Sequence, residues 1–255
     1  MSAAALLTGS RDEITEAAHD PRIEEAEAAI LRFGRTGAVR DANLYARSCY
    51  SLVHEIVHQQ FPRDVRREAL QAAATKVLDA GVFVGLGPDE GWLAWSLAHE
   101  LRDLAAAYGV PVESVRAPRP PREGGRGQGA LSVGRLATLA HEVLRIAGSA
   151  TALEEIQQVL GLSSAEAAAL FGVSRQAVDQ WRRNGVPAER VADVERVRDV
   201  AQVLYEELIP ERIPQVVRNP ARGLGGRSIL DVLAEPAGAE RVRAYLARLY
   251  SFEAA

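Results

Sequence analysis

The chain has 255 residues, 47% of them hydrophobic, and a formal net charge of −4. That length suffices for one large or two ordinary domains, and the charge is too acidic for a protein that coats nucleic acid by neutralising phosphates indiscriminately. A single cysteine, Cys49, excludes an internal disulfide, and no apolar run is long enough to cross a bilayer.

Only 5% of residues are aromatic, Ala and Leu abound and strand-favouring runs are nearly missing, so an all-α fold is expected. Lys76 is the one lysine among 30 basic residues, a bias that fits a G+C-rich bacterial genome. The first residues, MSAAALLTGSRDE, lack the basic region of a secretory signal. A cytoplasmic protein without a cofactor is the expectation, nucleoid-associated when bound to DNA.

Amphipathic stretches at about 21–34, 38–61, 63–80 and 88–108 make residues 1–116 a helical domain of unassigned role. The glycines of GVFVGLG at 81–87 predict a loop between two of them. Within the second stretch, His54-Glu55-Ile56-Val57-His58 is an HExxH string. On a helix it places two imidazoles on one face, suited to zinc, with Glu55 as general base and Glu90 or Glu100 as the downstream carboxylate available for a third ligand. The competing explanation is packing. Tyr45, Cys49, Leu52, Val53, Ile56 and Val57 already form an apolar stripe with both histidines on its flank, and no edge strand precedes the helix. A zinc peptidase fused to a regulator is therefore the minor alternative, and a non-enzymatic, metal-free protein is expected.

Residues 117–130, APRPPREGGRGQGA, join a Pro-rich to a Gly-rich piece with almost nothing apolar, the composition of a flexible connector. Beyond it, residues 131–209 hold the most informative segment. Ser163 and Glu166 form a capping box, Ala167, Ala168, Leu170 and Phe171 supply a small buried face, and Gly172 ends the helix. Ser174 is a second N-cap, and Ala177, Val178 and Trp181 recur at the spacing of one helical face. This is the form of a helix-turn-helix whose second helix enters a major groove. Arg175 and Gln176 carry bidentate groups suited to guanine and adenine, Asp179 and Arg183 share their side, and Ser174, Arg182 and Asn184 are candidates to hold phosphate.

Pro187 opens a long helix to about Leu208 with Val191, Val194, Val197, Val200, Ala201 and Leu204 as its seam. Residues 210–255 follow as a small helical domain: Pro210 and Pro214 frame a short helix, residues 219–227 (NPARGLGGR) form a glycine-dense loop, and Ser228 caps a helix over Ile229–Leu233. Pro236-Ala237-Gly238 breaks that helix before a last amphipathic one. No strand precedes Gly223–Gly226, so the loop is a backbone turn and no phosphate cradle.

The order of VSRQAVDQW, a long helix, Asn-Pro, Gly-Gly-Arg-Ser, Leu-Asp-Val-Leu and a closing helix resembles the Xre/MbcA/ParS antitoxins over about 150–253. The resemblance implies an all-helical homodimer that binds double-stranded DNA at its own operator and sequesters a RES-type toxin, typically one acting on NAD. It also implies that Arg175, Gln176 and Asp179 face DNA, and that Asn219, Pro220, Gly225, Gly226 and Arg227 belong to the toxin-binding domain. The alternative it leaves is an antitoxin or adaptor that acts mainly through a protein partner. The N-terminal hundred-odd residues are an addition to this pattern.

Overall fold

A computed structural model describes residues 20–86, 91–110 and 131–253, with side chains to Leu249 at the C-terminal end. Glu90 and the connector at 117–130 lie outside these residues. The described residues are all-helical, and their only β pairing is one isolated bridge, Ala221 with Arg227. Packing divides the chain into two units, residues 1–148 and 149–255.

The first unit comprises α1 (Pro21–Thr36), α2 (Val39–Gln60), α3 (Arg66–Gly85), α4 (Trp92–Ala107) and the first part of α5 (Val133–Val159). Asp20 starts α1 by accepting the Arg22 N–H at 2.8 Å, with Pro21 in the first turn where its missing donor costs nothing. Ile30, Phe33, Tyr45, Tyr50, Leu70, Leu93 and Leu97 form its interior. Leu131 and Leu139 are buried too, and Asn43 donates to Glu142 at 3.0 Å, so the start of α5 packs here.

Residues 81–85 correct the expected loop: they are the last turns of α3. A Cβ at Gly81 would stand 2.6 Å from the Tyr45 hydroxyl oxygen, and one at Gly85 would stand 2.5 Å from Leu131. These glycines serve close approach between helices, a use that local turn rules do not register.

The second unit continues with the rest of α5, then α6 (Ser164–Phe171), α7 (Arg175–Asn184) and α8 (Ala188–Glu207). A 3₁₀ turn (Pro210–Arg212), α9 (Ile213–Val216), a second 3₁₀ turn (Arg222–Leu224), α10 (Ile229–Leu233) and α11 (Gly238–Glu253) complete it. One continuous core joins Leu153 and Ile156 of α5, Phe171, Trp181, Val200, Ile213, Val232 and Leu246. The segments at 149–209 and 210–249 therefore share an interior.

Candidate functional site

The site is built on the pair α6–α7. The Ser163 hydroxyl accepts the Glu166 N–H at 3.2 Å while the Glu166 carboxylate accepts the Ser163 N–H at 2.9 Å, closing the capping box. These bonds from Ser163, reinforced by Arg218, hold the Glu166 carboxyl below the usual carboxylate range. At the other end, Gly172 takes a left-handed conformation (φ 64°) and turns the chain into Ser174, whose hydroxyl accepts the Ala177 N–H at 3.1 Å. Val178 and Trp181 face inward, and the Trp181 ring meets Phe171 with centroids 5.9 Å apart.

With that face buried, the other face of α7 is open. Arg175, Gln176 and Arg183 are exposed, Asp179 and Asn184 are half-buried, and Ser174 is exposed beside its cap. Gln180 shares the exposed face one turn beyond Gln176; its spacing carried that signal, and the sequence reading did not use it. Arg182 differs from its neighbours. Its Nη2 donates to Gln157 Oε1 at 2.8 Å and to Ser164 Oγ at 3.1 Å.

The loop after α9 is held by the Ala221–Arg227 bridge, with Gly225 and Gly226 both at positive φ, 70° and 78°. Asn219, Pro220, Gly225, Gly226 and Arg227 are all exposed there, and Arg227 pairs with Glu235, which also pairs with Arg241 at 2.9 Å. Ser228 and Asp231 form a second capping box, and the serine's hydrogen bonds keep the Asp231 carboxyl low.

Residues 217–251 match the family model described as the antitoxin Xre/MbcA/ParS C-terminal toxin-binding domain. Over these residues the chain is similar to the C-terminal domain of the Xre/MbcA/ParS antitoxins. The match supports an antitoxin role in a toxin–antitoxin system, with a protein toxin as partner, and leaves the rest of the chain unassigned. No curated protein and no solved structure matches the chain. A cleft of about 440 Å³ lies where the matched segment meets α6 and α8, lined by Phe171, Arg196, Val197, Leu233 and Ala237. Ala237 is the one described non-glycine residue at positive φ (55°), strain that nothing in the local sequence announced.

The two imidazoles of the HExxH string share one face of α2, as its spacing implies, and the expected position of His54 is corrected. His54 is buried, 4% exposed, and its ring stacks on His58 with centroids 4.2 Å apart, so it belongs to the packed face of α2 and not to its flank. Glu55 points the other way and pairs with Arg22 at 2.8 Å. No described helix is long and apolar enough to cross a membrane.

Proposed function

We propose that the chain is a non-enzymatic antitoxin-type regulator that binds double-stranded DNA through α6–α7 as a helix-turn-helix and a RES-type toxin through residues 217–251. The observation that carries the DNA reading is the two-sidedness of α7. Its apolar face is locked by Val178 and Trp181, while Arg175, Gln176, Gln180 and Arg183 have no burial to explain them. Amides and guanidinium groups at the start of a capped helix are the groups that read base edges in a major groove.

Arg175 and Gln176 are assigned to bases, with Gln180 following them along the groove and Asp179 on the same side of α7. Ser174, Arg183 and Asn184 are assigned to phosphates. A homodimer would set two copies of α7 on half-sites about 34–36 Å apart. Footprinting across the genome of the source bacterium, followed by gel shift on the recovered duplex, tests this. One palindromic operator is expected, and binding unchanged in Arg175→Ala/Gln176→Ala would reject the assigned contacts.

The family match favours a protein partner independently of DNA. Asn219, Pro220 and Arg227, on the exposed loop, are assigned to that contact. Co-expression with the product of the adjacent reading frame should give a stable complex and relieve growth arrest, and failure of both would remove the toxin from the proposal.

A further inference from the structure

Arg182 is the arginine of α7 that is turned inward. Both hydrogens of its Nη2 are used, one on Gln157 of α5 and one on Ser164, the first residue of α6. Its Nη1 lies 3.9 Å from Asp179, and the side chain is only 29% exposed. Phosphate could take the Nη2 hydrogens only by displacing those partners.

The position of these bonds matters more than their number. Gly172 and Ser174 join the end of α6 to the start of α7, and the Phe171–Trp181 contact packs the pair. The joint and this packing both act on the apolar side of the pair. Arg182, near the far end of α7, ties it back to the first residue of α6, and so closes the triangle at the point where leverage is greatest. The same end of α6 is gripped from a second direction by Arg218, which donates to Glu166 and to the carbonyl oxygens of Leu160 and Gly161.

We infer that Arg182 is a positioning residue: it fixes the angle at which α7 presents Arg175, Gln176 and Gln180, and makes no phosphate contact of its own. This rests on the DNA-binding reading and removes from the interface an arginine that its residue type would place there.

The two roles differ in salt dependence. Each phosphate contact contributes about 0.9 to the slope of log K against log salt, and a strut contributes nothing to it. Binding of the full chain to the fluorescently labelled operator duplex recovered by the footprinting, about 30 base pairs and so long enough for two half-sites, is followed by anisotropy across salt. Arg183→Ala is expected to lower the slope by about 0.9. Arg182→Ala should weaken binding about tenfold, the size of one misaligned base contact, with the wild-type slope.

Gln157→Ala supplies the second arm. It leaves the open face of α7 untouched and frees Arg182 from its anchor, so the positioning role predicts weaker binding, non-additive with Arg182→Ala. A phosphate role predicts binding equal to or tighter than wild type. A slope reduced in Arg182→Ala as in Arg183→Ala, or unweakened binding by Gln157→Ala, overturns the inference while leaving DNA binding intact. Wild-type protein that shows no salt-dependent binding overturns the DNA reading and the inference together.

Discussion

Arg218, the second residue of the antitoxin-like segment, sets its Nη2 2.6 Å and its Nε 2.9 Å from Glu166 Oε1, the same carboxylate whose other oxygen caps α6. One carboxylate thus links the local start of a helix to a segment 52 residues further along the chain. Because its pKa is held down in the folded protein, its stabilisation is present above the ordinary glutamate value of about 4.3. It is lost as pH falls through the lower folded value. Glu166→Gln keeps the shape and removes the charge. Urea denaturation should therefore find the variant less stable at pH 7, with the deficit shrinking below about pH 4 as the wild-type carboxylate is protonated. A deficit that is constant with pH would assign the contact to shape alone. Both partners are about a third exposed, which limits the pair itself to a modest share.

What was legible in the chain was what is local. Ser163, Ser174 and Ser228 each cap a helix three residues ahead, so their signals lie within one turn of sequence. The helix break at Gly172 and the apolar spacing of Val178 and Trp181 are equally short-ranged. Arg182 was not legible, since its partners lie 25 and 18 residues away and nothing near it says which way an arginine will turn. Gly81 was misread for the same reason: its neighbour is the Tyr45 ring on another helix, and a glycine that permits contact looks in sequence like one that permits a turn. His54 shows the converse, a polar residue that alternation puts at the edge of a stripe and packing puts inside it.

The base-reading assignment makes a quantitative claim. A bidentate contact discriminates by about 1–3 kcal/mol, so Arg175→Ala and Gln176→Ala should each cost about tenfold or more on the operator and much less on mixed-sequence DNA. Both side chains are exposed, so melting temperature should stay near that of the wild type. Equal losses on operator and mixed-sequence DNA would move these residues to the phosphates. A fallen melting temperature would move them into the fold.

Gly81 and Gly148 are both helical, yet they should respond oppositely to alanine. A methyl at Gly81 meets the Tyr45 phenol at 2.6–2.8 Å, and that ring cannot retreat without giving up the 2.6 Å bond from its hydroxyl to the Val77 carbonyl oxygen. Overpacking of this kind costs about 1–3 kcal/mol. At Gly148 nothing stands within 4 Å of the new carbon among the described residues, so the gain in helix propensity, about 0.5–1 kcal/mol, is collected without a clash. Thermal denaturation should thus lower the melting temperature of Gly81→Ala and raise that of Gly148→Ala. A rise in both would mean that α3 and α2 can part at no cost.

Cys49 offers a chemical clock for opening of the first unit. It is 2% exposed on the inner face of α2, and burial pushes its thiol up to about 12, so at pH 8 almost none of it is the reactive thiolate. The opposing influence is small: the Tyr45 hydroxyl beside it favours the thiolate, but the tyrosine is itself held protonated by burial. Reaction with an aromatic disulfide reagent at pH 8 should be slow in the native protein and rapid in denaturant, where the pKa returns to about 8.5. Its rate across urea should track the loss of helical signal. Gly81→Ala should speed it, because that substitution presses on the Tyr45 side chain, the thiol's hydrogen-bonding neighbour. Fast labelling of the native protein, at a rate that neither urea nor Gly81→Ala changes, would show the thiol open to solvent and would contradict the packing of α2 described above.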